Sequence, residues 1–329
     1  MPEIIHELTV FSPAKVNLHL TVKDRRPDGF HDIYSIFLAV NFGDTIHFFV
    51  NSGKDEENSS NLADISISGL DLNNNDLLSK PENNIIYKAI SLFREKTGFS
   101  HSVKVNVEKH IPLGGGLGGG SSNAACALLS LNKMAGFPCS RDELLEIAAA
   151  LGSDVPFFIY ETAAALVTGR GECITPIDAP VLFIVLVNPG FPSNTARAFR
   201  LLDKYRAEKF SHRDTENTEA QGLSDVNSVF SAPPCGNFWN NFSNDFLPVF
   251  PQQEKAIYEK VINKLRESGA VYANLSGAGS TCFGVFSDEE IAHKAAQLLQ
   301  KEYSSTEPAD GSSGKWFAEC CSTLINEQL

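Results

Sequence analysis

Strands and helices that follow one another without regular β-α-β alternation predict a two-domain α+β fold for this 329-residue chain. Two further observations carry that reading. Period-two apolar patterns dominate residues 8–22, 36–50 and 102–109, and amphipathic helical patterns follow them. A second run, in the order helix, strand, Gly-rich turn, strand and helix, then closes the chain over 254–303.

The first strand is expected over 8–22, where Val16, Leu18 and Leu20 alternate with Asn17 and His19. Residues 36–50 predict a pair of strands broken at 41–44, and 52–60 reads as a polar hairpin excursion. Ile86, Ala89, Ile90 and Phe93 stand at helical spacing within 83–98, with Gly98 as C-cap. A strand over 102–109 leads to a glycine-rich loop, and a helix opened by Ser121 and Ser122 runs on to Gly136. Another helix spans 141–152, and strand material fills 163–174. The boundary falls near Thr175, giving domains 1–175 and 176–329. The second domain opens on the buried strand 181–187 and turns polar over 204–246, an excursion carrying only local structure. Helix 254–269, strand 271–275, turn 276–281, strand 282–286, helix 288–303, a loop over 304–315 and a last strand over 316–324 complete it.

Composition bounds the function. Hydrophobic residues make up 43% and charged ones 20%, enough to bury a sizeable core. Forty acidic against 27 basic residues give a net charge of −13, which excludes an extended nucleic-acid surface. An anionic substrate must therefore be held by local amides and cations, since the overall field opposes it. Seven cysteines without C-x-x-C spacing read as thiols in a reducing compartment, not as a zinc site. Neither a signal-peptide core nor a membrane-spanning apolar run is present, so the chain is expected to be cytoplasmic.

Six glycines in the seven positions 114–120 are the strongest functional signal. Glycine loses more conformational freedom on folding than any other residue, so such a cluster implies a backbone task. Amides freed of Cβ atoms can wrap phosphate oxygens, and the following helix adds its positive end. The P-loop pattern is excluded because no lysine follows the last glycine. Gly114, Gly116 and Gly119 satisfy G-x-G-x-x-G, but the acidic residue ending a second strand, needed for a dinucleotide site, is missing. A flexible linker fits poorly between a strand and an amphipathic helix.

Lys15, Asn17 and His19 share one face of the first strand. They can hold a hydroxyl or phosphate, or simply form the solvated face of an edge strand. Asp154 lies two residues beyond a helix-closing glycine and two before Pro156, a position that a turn or N-cap also explains. The Ser276–Thr281 segment reads as a hairpin turn or as a small-residue surface packed on the first loop.

Three segments together, Pro13–Leu18, Pro112–Ser122 and Ser276–Thr281, resemble the GHMP kinase superfamily in order and spacing. Pro27–Asp32 and Leu151–Pro156 resemble those members that phosphorylate the 2-hydroxyl of a cytidine-diphosphate-linked methylerythritol in the non-mevalonate isoprenoid pathway. The resemblance spans roughly residues 8–287. It implies an N-terminal ribosomal-S5-like ATP-binding domain and a C-terminal ferredoxin-like domain. It assigns Asp154 as the base and Lys15 as the group that holds the hydroxyl and neutralises developing charge. Asn17 is implied in substrate binding, His31 in reading the cytosine edge, and Phe30 in stacking on the ring. The ATP phosphates would lie along Pro112, Leu113, Gly114, Gly115, Gly116, Leu117, Gly118, Gly119, Gly120, Ser121 and Ser122, with Mg²⁺ bridging them and Ser121 or Ser122 near the metal. Phe30 departs from the family's usual tyrosine, keeping the stacking face and losing a hydroxyl. A mevalonate- or homoserine-type kinase and a non-catalytic nucleotide-binding homologue are the alternatives.

Overall fold

A computed structural model describes residues 5–51, 65–68, 83–210, 236–304 and 316–324. The expected excursion over 52–60 and most of the 304–315 loop lie outside them. The chain forms two compact units, each assembled from separate segments: 1–14, 42–111 and 118–161 in the first, and 15–41, 112–117 and 162–329 in the second. Strands β1 (Glu7–Arg25) and β2 (His31–Asn51) contribute residues to both. Among the described residues no helix is long and apolar enough to cross a membrane.

In the first unit, the second half of β2 pairs antiparallel with β4 (Ser102–Glu108), from Thr45 opposite Glu108 to Asn51 opposite Ser102. β3 (Ile65–Ser68) lies parallel to β4 on its other side. Ile46, Phe48 and Val50, with Val103, Val105 and Val107, are buried as period two requires. The helices are α1 (Ile85–Thr97), α2 (Gly119–Met134), α3 (Arg141–Leu151) and the short α4 (Val155–Ile159). Asn84 caps α1 through Ile86 N, and Gly98 ends it in the left-handed region. Ser140 and Glu143 form a full capping box on α3.

Residues 41–44 do not break β2, contrary to the expectation of two strands. Gly43 is there for close approach instead: a Cβ at this position would overlap the Ser12 carbonyl oxygen and come within 2.6 Å of the Phe11 ring. The helix after the glycine loop also begins earlier than expected. Its N-cap is Gly118, left-handed at φ 69°, and Gly119 and Gly120 are already helical. Ser121 and Ser122 therefore sit in the first turn.

In the second unit, the first half of β2 pairs antiparallel with β5 (Ala164–Thr168), which pairs with β6 (Cys173–Pro176). The strand material expected over 163–174 is thus a hairpin, turned at Gly169 and Gly171, both at positive φ. A four-stranded antiparallel sheet has the order β10 (Phe317–Ser322), β7 (Phe183–Asn188), β9 (Cys282–Phe286), β8 (Tyr272–Leu275). Helices α6 (Gln252–Glu267) and α7 (Glu289–Tyr303) pack on it. This is the ferredoxin-like order, with the last strand beside the first.

The stretch expected as a polar excursion is folded at both ends. Helix α5 (Thr195–Phe210) runs into it, and Gly236–Asn241 forms a 3₁₀ turn. Trp239, Phe242, Asn244 and Phe246 are buried, with the Trp239 ring stacked on Tyr272 at 5.1 Å. Asn244 donates to the carbonyls of Leu275 and Gly277, both at 2.8 Å. Residues 211–235 lie outside the described set.

Candidate active site

The glycine loop divides between the units at Leu117 and Gly118. Within the second unit its carbonyls are all turned onto protein donors. Gly114 O accepts from Ser193 N, Gly115 O from Thr281 N, and Leu117 O from Lys15 N, at 2.8, 3.1 and 2.9 Å. Gly116 O accepts from Ser276 Oγ at 2.9 Å and from Lys15 Nζ at 3.3 Å. A trans peptide points its N–H opposite to its C=O, so the amides of Gly115, Gly116 and Leu117 are aimed away from these partners. Such a row of outward amides suits the phosphates of a nucleotide. Gly116 is at φ 76°, and a Cβ there would overlap the Ser276 carbonyl oxygen and stand 2.8 Å from that of Gly279. In the first unit, a Cβ on Gly119 would meet Ile111 at 2.8 Å, whereas one on Gly120 finds only Ile85, 3.7 Å away.

No side chain caps α2, and no acidic residue stands in its first turn, so its leading amides and dipole remain available to an anion. Of the two serines, Ser122 is fully buried and within 2.8 Å of Ser12 Oγ, which also lies 2.6 Å from Asn123 Oδ1. Ser121 is only half-buried. The structure therefore separates two residues that the sequence left equivalent.

Lys15 and Asn17 lie on β1 and are each 3% exposed, and His19 is buried beside them. The solvated-edge reading of this face fails, because Tyr34, Phe242 and the Ser276–Gly277 turn cover it. Lys15 Nζ donates to Asn17 Oδ1 at 2.6 Å and stands 4.7 Å from the centre of the Phe37 ring. Asn17 Nδ2 donates to Ser35 Oγ at 3.0 Å, and Ser35 donates onward to the His19 carbonyl at 2.5 Å. That relay fixes which end of the Asn17 amide faces the lysine. Ser35 is a working part of this site that the sequence did not mark; its only signal was a small hydroxyl residue inside an otherwise apolar strand. Ser276 belongs to the segment read as a turn or as a surface on the first loop, and its hydroxyl does bond that loop.

His19 is neutral. Ser243 N donates to its Nδ1 at 3.1 Å, which puts the ring proton on Nε2, 3.0 Å from Thr21 Oγ1. Burial pushes its pKa down from 6.5 to about 4.

The hairpin between β1 and β2 places Phe30 and His31 oppositely. Asp28 Oδ1 accepts from Phe30 N at 3.1 Å, and Gly29 takes φ 87°, a turn that leaves Phe30 53% exposed. The Arg170 guanidinium lies 4.9 Å from the Phe30 ring centre. His31, the first residue of β2, is 7% exposed. Its ring stacks on Phe199 at 5.0 Å and 19°, and its Nε2 is 2.8 Å from Asp203 Oδ1. Phe199 and Asp203 went unrecognised in the sequence. The signal was their spacing of four on one face of α5, beside the buried Ala198 and Leu202.

Asp154 belongs to the first unit, as Lys15 belongs to the second. It occupies the N-cap position of α4, yet its carboxylate makes no capping hydrogen bond. Capping therefore does not account for the carboxylate. Among the described residues no group of three or more His, Cys, Asp or Glu could hold a metal ion.

Two family models match the chain: the GHMP kinases N terminal domain at residues 84–162 and the GHMP kinases C terminal domain at 248–305. A 4-diphosphocytidyl-2-C-methyl-D-erythritol kinase of Thermodesulfovibrio yellowstonii is 36% identical over 296 residues, covering 89% of this chain and 94% of that protein. The crystal structure of a 4-(cytidine 5'-diphospho)-2C-methyl-D-erythritol kinase matches with a TM-score of 0.71 at 25% identity, covering 95% of this chain and 99% of that one. A homoserine kinase of Cytophaga hutchinsonii, at TM-score 0.63 and 16% identity over 99% of this chain and 96% of that one, shares the fold alone. The chain belongs to the 4-diphosphocytidyl-2-C-methyl-D-erythritol kinase family of the GHMP kinases.

Proposed function

We infer that this kinase transfers the γ-phosphoryl group of ATP to the 2-hydroxyl of 4-(cytidine 5'-diphospho)-2-C-methyl-D-erythritol in the non-mevalonate route to isoprenoid precursors. Identity of 36% to a kinase of that name along almost the whole chain carries this reading. The buried Lys15–Asn17 pair against the glycine loop supports it. We place the enzyme in the cytoplasm. Its two family-model matches fall on either side of residue 175, which supports the division into 1–175 and 176–329.

Phosphoryl transfer demands little covalent work from the protein; it demands positioning and charge stabilisation. Asp154 accepts the proton of the substrate hydroxyl as its oxygen attacks phosphorus. Lys15 holds that oxygen and offsets the negative charge that builds on the transferring group. Asn17 orients the lysine and contacts substrate near the reacting hydroxyl. The amides of residues 113–120 and the start of α2 receive the nucleotide phosphates; Mg²⁺ would arrive with the nucleotide, and Ser121 or Ser122 would offer it a hydroxyl. His31 reads the cytosine edge, and Phe30 provides a ring face for the base.

A coupled assay of ATP consumption tests this with cytidine-diphosphate methylerythritol, mevalonate and homoserine as parallel acceptors. Turnover is expected with the first alone, and preference for either of the others would overturn the reading. Asp154→Asn is expected to lower kcat by roughly 10²–10⁴ while nucleotide binding persists. Unaltered turnover would remove Asp154 as the base.

A further inference from the structure

We propose that Asp203 is the residue that makes this kinase select cytosine over uracil, by fixing the tautomer and orientation of His31. The inference rests on His31 being the base reader. Helix α5 grips the imidazole twice, one turn apart. Phe199 covers one ring face at 5.0 Å and nearly parallel, and Asp203 Oδ1 takes Nε2 at 2.8 Å. Ring rotation would tilt the imidazole off Phe199, and a flip would place the carbon Cε1 against the carboxylate in place of Nε2. Both are opposed by the same helix.

The chemistry follows from the acceptor. A carboxylate accepts hydrogen bonds and donates none, so Nε2 carries the proton, and in the singly protonated ring the lone pair stands on Nδ1. A ring nitrogen that accepts pairs with the exocyclic amine of cytosine. The same position in uracil is a carbonyl oxygen, which would face the Nδ1 lone pair with nothing to share. Sites that leave a polar pair unmatched discriminate strongly, so one atom of Asp203 suffices to exclude the wrong base. Asp203 acts through His31 and is a positioning residue; its half-buried place on α5 leaves the fold little dependent on it.

The decisive variant is Asp203→Asn. An asparagine can turn its NH₂ toward Nε2, moving the ring proton to Nδ1 and making that atom a donor suited to uracil. Competitive binding of cytidine 5'-diphosphate and uridine 5'-diphosphate, with kinetics on the cytidyl substrate, reads the change. The cytidine preference is expected to fall by about tenfold or more, through KM and not kcat. Asp203→Glu, which restores a carboxylate, is expected to recover part of it. ¹⁵N NMR of the wild-type imidazole is expected to show a protonated Nε2 and an unprotonated Nδ1, and the reverse in Asp203→Asn. A doubly protonated ring in the wild type, or an unchanged cytidine preference in Asp203→Asn, overturns the inference. His31→Ala separates the two levels. If it keeps the preference for cytidine, the base-reading role of His31 has failed; if it loses the preference while Asp203→Asn keeps it, only the role of Asp203 has.

Discussion

Lys15 Nζ lies 2.6 Å from Asn17 Oδ1, and both side chains are buried on one face of a single strand. Removing an ammonium from water is costly unless oxygen atoms surround it. Here the amide oxygen and the Gly116 carbonyl, 3.3 Å away, supply part of that shell. Both are neutral acceptors that hold the ammonium in place.

Lys15→Met retains the volume of the stem and removes the charge. Its kcat is expected to fall by about 10² or more, a typical cost of deleting a preorganised electrostatic group. Thermal stability should fall only modestly, because the buried Asn17 amide oxygen loses its donor while the desolvation cost of the ammonium is removed. Loss of folding in step with activity, followed by circular dichroism, would show a structural role instead.

The glycines of the loop are not equivalent, and alanine substitutions distinguish them. Gly116 combines φ 76° with a Cβ position already filled by the Ser276 carbonyl. Gly116→Ala is expected to destabilise the protein by more than the roughly 1–2 kcal/mol of left-handed strain alone. Gly120 is helical with open space around its Cβ position, so Gly120→Ala should stabilise by about 0.5–1 kcal/mol. A raised KM for ATP in Gly120→Ala would mark a position where the nucleotide needs the missing side chain. Urea denaturation and ATP titration of the two variants check both statements.

Much of this was legible in local pattern. The alternation of Lys15, Asn17 and His19 against Val16, Leu18 and Leu20 is written in the chain, and so is the cap at Gly98. What period two could not tell is that both faces of β1 are buried. The second face is closed by Phe242 and Ser243, which lie more than two hundred residues along the chain in a stretch that reads as polar. The Asp203 carboxylate was hidden for the same reason. Charge spacing on α5 suggests a solvated helix, and only tertiary packing reveals that one acid meets a buried imidazole 172 positions away. Gly43 shows the converse error: a local turn signal whose cause is the close passage of Phe11 and Ser12.

The neutral state of His19 gives a pH dependence of stability. Its folded pKa of about 4 lies below the ordinary 6.5. Above 6.5 neither state is protonated and the group contributes nothing to the slope. As pH falls below 6.5 the unfolded chain takes up a proton that the folded chain refuses, so stability is lost progressively down to the folded pKa. The loss is about 2 kcal/mol between about pH 7.5 and about pH 5. His19→Gln keeps an acceptor for Ser243 N and does not titrate. The difference in unfolding free energy between wild type and variant is expected to narrow by that amount as pH drops. A constant difference would mean that His19 titrates alike in both states.

Asp44 supports the approach to the glycine loop. It is fully buried, and its Oδ1 accepts from the amides of His110 and Ile111, each at 2.8 Å, while its Oδ2 receives Lys109 Nζ at 2.5 Å. These three donors belong to consecutive residues directly before Pro112. Asp44→Ala strands the buried Ile111 amide, the part-buried His110 amide and a nearly buried ammonium, at a cost of about 3–5 kcal/mol. Asp44→Asn retains one carbonyl oxygen for the amides and gives up the charge, so it should cost less. Because the segment leads straight into the nucleotide loop, KM for ATP is expected to rise in Asp44→Asn, with the KM for the cytidyl substrate largely retained. Equal increases in both constants would mean that the variant loosens the whole protein instead of the loop that Asp44 anchors.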